Sequence, residues 1–209
     1  MPSHGPLMSY VNLVLFDLGG VVCQFFHQRR LAALANLSGL SSEEVHQRIF
    51  ASGFDLDCDR GRYTLEQNHL ELQARLGTPA SMDELVDCWA GAFDPVPAVL
   101  DVVDRVRAHA ATGILTNNGP LVDLMLRQRF TDLLAHFDYP RFSYQARATK
   151  PDAQVYRATL SALSATPEHT LFIDDNVSNV LGAQAVGIDA IQFTRVEALT
   201  SALHERRLC

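Results

Sequence analysis

The chain has 209 residues, 47% of them hydrophobic and 20% charged. That is enough apolar material for one core and a smaller companion unit, and too much for a disordered or fibrous protein. The net charge of −7 gives no general attraction for a phosphodiester backbone. Nucleic acid is therefore set aside as a partner, while a locally positive pocket for a small anion stays compatible. Residues 1–10 contain Pro, Gly and Ser and read as a flexible tail. The apolar run Leu13-Val14-Leu15-Phe16 then reads as a strand buried on both faces. It stops at Asp17, and Gly19-Gly20 permit a sharp turn.

Residues 26–94 read as an all-helical insertion of about four helices, with no strand. Three capping boxes mark helix starts: Ser41 with Glu44, Thr64 with Gln67, and Ser81 with Glu84. After Pro95 and Pro97 the pattern changes to alternation. A helix over 98–110 leads to the run Gly113-Ile114-Leu115 and then Thr116-Asn117-Asn118-Gly119. A helix over 121–130, a weak strand over 142–144, Lys150-Pro151-Asp152 and a helix to Leu163 follow. The run Leu171-Phe172-Ile173 ends in Asp174-Asp175. A helix over 178–186, a strand over 190–193 and a closing helix complete the order.

This alternation predicts an α/β fold with a parallel, doubly wound sheet, made of residues 11–25 and 95–209. The insertion interrupts it after the first strand, so it is expected as a helical-bundle lid over the sheet. No stretch approaches the roughly 18 apolar residues of a membrane helix, and no export signal is read. Cys23, Cys58, Cys88 and Cys209 form no CxxC pair. They read as reduced thiols of a cytoplasmic protein with no membrane partner, a monomer or homodimer.

Three apolar strands end in polar clusters: Asp17, Thr116-Asn117 and Asp174-Asp175. In a parallel sheet these ends share one edge, where ligands bind, and Lys150 lies in a loop able to join them. Carboxylates crowded into one crevice repel each other, and a hard divalent cation such as Mg²⁺ removes that cost. A hydroxyl, backbone N–H groups and a lysine can cradle phosphate oxygens. A carboxylate beside them can attack phosphorus.

These motifs, in this order, resemble the haloacid dehalogenase superfamily. The first runs from Leu15 to Val22 through Asp17, and the second is Ile114-Leu115-Thr116-Asn117-Asn118. The third is Lys150-Pro151-Asp152, and the fourth starts at Phe172-Ile173-Asp174-Asp175-Asn176 and runs to Gly187. With Asp59-Arg60-Gly61 in the insertion, the chain is most similar to the branch of bacterial sugar-phosphate phosphatases, those for glucose 1-phosphate among them. The resemblance implies a Mg²⁺-dependent phosphomonoester hydrolase acting on a small phosphorylated metabolite through an aspartyl-phosphate. Asp17 would be nucleophile and metal ligand, and Gly19 would offer its carbonyl to the metal. Thr116 and the Asn117 backbone would bind phosphate, and Lys150 would hold Asp17 and phosphate. Asp175 would ligate the metal directly, and Asp174 directly or through water.

One position departs from the family pattern. Gly19 stands where many members carry a second Asp as general acid and base. Either another group or water protonates the leaving oxygen, or the substrate has an easy leaving group, such as an anomeric, aryl or acyl phosphate. His27 follows the turn closely and is a less favoured candidate for the missing acid. Asp55, Asp57 and Asp59 with Arg60 and Arg62 read first as a solvated loop of self-paired charges. The second reading is a specificity loop whose Arg60 or Arg62 meets the substrate. Trp89 with Leu85 and Phe93 reads as packing. Gly19 also leaves room for a non-catalytic binding protein of the same fold. A receiver-like phosphoacceptor is the remaining alternative, although in receivers the acidic pair comes first and here it comes last.

Overall fold

The computed structural model describes residues 10–209. Apart from Tyr10, the tail expected over 1–10 lies outside the described residues. The chain opens with β1 (Leu13–Phe16) and β2 (Cys23–Phe25). Helices α1 (His27–Ser38), α2 (Ser42–Val45), α3 (Phe54–Asp59), α4 (Leu65–Leu76) and α5 (Met82–Ala90) follow, with one wide π turn at His46–Ala51. Then come β3 (Phe93–Pro95), α6 (Pro97–Arg107), β4 (Ala111–Thr116), α7 (Pro120–Arg129) and α8 (Thr131–Leu134). The chain closes with β5 (Tyr139–Phe142), α9 (Ser143–Ala146), α10 (Ala153–Ala162), β6 (Thr170–Asp174), α11 (Val177–Gln184), β7 (Asp189–Gln192) and α12 (Val196–Glu205).

Five strands form one parallel sheet in the order β5-β4-β1-β6-β7. β1 is central and all its residues are buried, which is why it reads as an unbroken apolar run. Its side chains alternate between two cores. Val14 and Phe16 join Ile114, Leu171 and Ile173 in the larger cluster. Leu13 and Leu15 join Leu115, Phe172, Val155 and Tyr156 in the smaller one. Helices therefore cover both faces, as right-handed crossovers require.

The three capping boxes are formed. Each satisfies two otherwise orphaned helix-terminal donors.

Three expectations are corrected. First, β3 begins at Phe93, inside the stretch expected to hold no strand, and pairs antiparallel with β2. Each of these strands is three residues with one buried position. That is too short to show a period of two, so only the partner strand reveals it. Second, the weak strand lies at Tyr139–Phe142, and 143–146 turn into α9. Pro140 obscured the strand, yet β5 is an edge strand, where a missing donor is tolerated. Third, the insertion holds five α-helices, because the segment expected as a charged loop forms α3. Gly53, at φ 82°, lets the chain turn into that helix.

The insertion docks on the sheet's carboxyl edge. Arg129 of α7 bonds Asp87 and Asp83 of α5 at 2.8 and 2.9 Å. The Ser143 hydroxyl donates to the Asp59 carbonyl at 2.7 Å. Gly61, at φ 66°, lies so close to the Tyr144 carbonyl that a Cβ there would collide with it.

Candidate active site

Asp17 follows directly on β1, and its N–H donates to Ile173 O at 2.8 Å. This bond continues the β1–β6 ladder and fixes the carboxylate at the sheet edge. Asp17 Oδ1 accepts from Leu18 N at 2.7 Å and pairs with Lys150 Nζ at 2.8 Å. Oδ2 accepts no hydrogen bond among the described residues and is left for the cavity that Asp17 lines. Burial pushes the Asp17 pKa up to about 6, against the Lys150 charge and with the help of Asp174.

Lys150 is 5% exposed. Its ammonium reaches Asp174 Oδ2 at 2.7 Å and Leu115 O at 3.0 Å as well as Asp17. All three donors are thus committed to the protein. Asn117 holds the Lys150 backbone from both sides, donating to Lys150 O at 2.9 Å and accepting from Lys150 N at 2.7 Å. Thr116 is buried, and its hydroxyl oxygen accepts from Asn118 Nδ2 at 2.7 Å.

Asp174 is fully buried and fully engaged. Oδ1 accepts from Asn176 N at 2.8 Å and Asn179 Nδ2 at 3.0 Å, while Oδ2 holds Lys150. Asp175 is the open carboxylate of the pair. Burial raises its pKa, and the Asp174 charge adds to the effect. Gly20, at φ 84°, packs against it so closely that any Cβ would collide with the carboxylate.

One oxygen each from Asp17, Asp174 and Asp175 lies within 4.8 Å of the others. The donor set is all oxygen, and two of its carboxyls hold protons more tightly than usual, chiefly because they are buried and in part because of the Asp174 charge beside them. A hard divalent cation fits such a set. Asp174 would have to share an oxygen already bonded to Lys150 or Asn179, so it acts first as a fixed post.

A cavity of about 270 Å³ opens over this edge. Its floor includes Asp17, Gly19, Thr116, Asn117 and Lys150. Asp174 and Asp175 adjoin it through Asp17 and Lys150. Its opposite wall comes from the insertion and carries Arg30, Asp55 and Asp59.

The segment 11–187 matches the family model of haloacid dehalogenase-like hydrolases. The chain belongs to that family. It is 23% identical to the D-ribitol-5-phosphate phosphatase of Bacteroides thetaiotaomicron, over 87% of this chain and 91% of that protein. It is 28% identical to Phosphatase MT3486 of Mycobacterium tuberculosis, over 86% of each. A haloacid dehalogenase-like hydrolase from Porphyromonas gingivalis superposes with a TM-score of 0.77 at 25% identity, over 92% of this chain and 98% of that one. A family enzyme of Bacteroides thetaiotaomicron, solved with magnesium and inorganic phosphate, has the same fold at a TM-score of 0.75 and 19% identity, over 88% and 94%.

Within this hydrolase frame the arginines of the charged segment keep their first reading, as exposed or self-paired charges, and the substrate-contact alternative fails. Arg60 is exposed and Arg62 pairs with Asp57 at 2.9 Å, and neither lines the cavity. The insertion contributes the carboxyls of Asp55 and Asp59 instead. Their spacing of four puts both on one face of α3, a signal hidden while the segment was read as a loop. His27 bonds Arg30 at 3.2 Å and lines a separate cavity with Gln28 and His46. Trp89 is packed, as expected. Asn179, which pins Asp174, was missed. An Asn on the buried face of the short helix α11 was its one sequence signal.

Proposed function

We propose that this hydrolase is a Mg²⁺-dependent phosphomonoesterase that works through an aspartyl-phosphate on Asp17 and takes a small sugar or polyol phosphate. The observation that carries the reading is Asp17 itself. One of its oxygens is pinned by Lys150 and Leu18, the other is free, and the residue lines a cavity of about 270 Å³. A volume near the small end for ligand pockets suits a compact metabolite.

Asp17, Asp175 and the Gly19 carbonyl would hold the cation, with Asp174 behind them. Bound there, it supplies charge neutralisation for the phosphoryl oxygens. The Asp17 oxygen attacks phosphorus in line, and the leaving alcohol departs toward the insertion. Lys150 keeps Asp17 ionised and oriented. The Thr116 hydroxyl and the Asn117 N–H offer donors to the transferring phosphoryl group. Water then releases phosphate and restores Asp17.

The named relatives are phosphatases, and one is named for a polyol phosphate. Gly19 favours a second reading, a weakly active or non-catalytic binder. A phosphate-release screen over sugar, polyol, nucleotide and aryl phosphates separates the two. Turnover is expected only with Mg²⁺ and is lost in Asp17→Asn. No release from any ester moves the assignment to the binder. The four free thiols, three of them buried, fit the cytoplasmic placement.

A further inference from the structure

Besides Asp17, the carboxyl groups that line the catalytic cavity are Asp55 and Asp59, both on α3. Position 19 has room for a side chain. A Cβ there would meet Phe25 Cβ at 3.6 Å, an ordinary contact. The missing acid is thus a chemical absence on the floor of the cavity, and two acids stand on the wall facing it.

We propose that Asp59 donates the proton to the leaving-group oxygen, in the place that Gly19 leaves empty; this rests on the phosphomonoesterase reading above. Three observations carry it. Asp59 is tied to the segment that follows β4 and does not depend on a loose helix. The Ser143 hydroxyl donates to Asp59 O at 2.7 Å and accepts from Asn118 N at 3.0 Å, two residues beyond Thr116. A Cβ on Gly119 would lie 3.1 Å from Cys58, so the two segments are in close contact.

The charges also divide the two carboxyls. One arginine serves both: Arg30 pairs with Asp55 at 3.5 Å. That pair opposes the rise that burial gives the Asp55 pKa, and among the described residues no such ion pair reaches Asp59. Burial and the Asp55 charge raise the Asp59 pKa well above the carboxylate range, with Arg30 and the Gly119 N–H opposing. Two neighbouring carboxyls with unlike partners are a recurring way to assign base and acid. The charged groups facing Asp59 are Asp55 on its own helix, Arg30 on α1, and Asp17 and Lys150 across the cavity.

Third, the wall is incomplete by itself. Arg30 is 7% exposed, and its Nε is buried without a hydrogen-bond partner among the described residues. Phe50 packs on its guanidinium at 4.3 Å.

The proton balance closes over the cycle. An Asp17 oxygen bonds to phosphorus, the bond from phosphorus to the leaving oxygen breaks, and that oxygen takes the Asp59 proton. Asp59 is then a carboxylate. In the second half it accepts a proton from the attacking water, the bond from phosphorus to Asp17 breaks, and both groups return to their starting states.

First-turnover release, followed by rapid quench, isolates the proton-donating half. The substrates are p-nitrophenyl phosphate, whose leaving group needs no acid, and the alkyl monoester that the wild-type protein turns over fastest. Asp59→Asn is expected to slow alkyl release by about 10²-fold or more and to leave nitrophenol release within about threefold. In the wild type, the alkyl rate should fall on the alkaline side and the aryl rate should not. That comparison needs no variant. Gly19→Asp in the Asp59→Asn background should recover at least about tenfold of the alkyl rate.

Equal losses on both esters, an unchanged alkyl rate, or wild-type activity confined to aryl esters would overturn the role of Asp59 and leave the hydrolase reading standing. Absence of Asp17-dependent release from every ester would sink the hydrolase reading itself.

Discussion

At the residue scale, the site is a balance of charge around Lys150. Its ammonium joins Asp17 and Asp174, both nearly or fully buried. Removing one partner of a buried ionic set leaves charges unpaired, at a cost of about 3–5 kcal/mol. Lys150→Met is expected to lower unfolding stability by that amount in a denaturant titration at neutral pH, besides losing activity. Asp17→Asn should lose about 10⁴-fold or more in turnover, because it removes the proposed nucleophile. Yet it should melt no lower than wild type without metal at neutral pH, since it removes a carboxylate that burial disfavours. Gly20→Ala combines a φ of 84° with a collision against Asp175. We expect a loss of about 1–3 kcal/mol and weaker Mg²⁺ binding by calorimetry.

At the element scale, strands aim the chemistry and helix ends hold the insertion together. The N–H of Asp17 still belongs to the sheet's ladder, so the proposed nucleophile is held by a regular element and not by a loop. The capping boxes belong to the insertion's own stability. Ser81→Ala at the start of α5 should cost about 1 kcal/mol in thermal unfolding and leave the first-turnover rate unchanged, because no atom of that cap lines the cavity. These boxes were readable because a cap is local, four residues long and chemically distinctive. The β2–β3 ribbon was not readable, because pairing of two short strands across the whole insertion is a long-range fact. The helical state of α3 was hidden for a similar reason. Its acidic sequence has little propensity of its own, and it forms because Phe54 and Cys58 bury against the rest of the insertion.

At the scale of the whole molecule, Asp17, Asp55, Asp59 and Asp175 all bind protons more tightly in the folded chain than ordinary carboxyls do. The folded state therefore holds more protons than the unfolded one once pH rises above the usual carboxylate range. Stability of the metal-free protein should then fall as pH rises from about 4 to about 6, where Asp17 titrates. Mg²⁺ needs the ionised carboxylates, so it should restore stability above that window and act little below it. At a hundredfold excess over its dissociation constant it should add about 2.7 kcal/mol. Melting curves at acid and neutral pH, with and without Mg²⁺, test both signs.

The sequence by itself determined the sheet, the order of its parts and the positions that come together at its edge. Buried strands are continuous apolar runs, and the polar residue that ends each run is where the parallel sheet must present it. Asp17, Thr116, Asn117 and the acidic pair are visible for that reason, and Lys150 through the order of the motifs. Only the tertiary structure decided what faces them. Whether Arg60 or Asp59 looks into the cavity depends on how α3 is rotated, and that is set by packing between distant segments. It also decided that Asn117 clamps the Lys150 backbone, that Asn179 pins Asp174, and that the free space at Gly19 lies opposite a pair of carboxyls. These are contacts between residues far apart in the chain, and no local pattern encodes them.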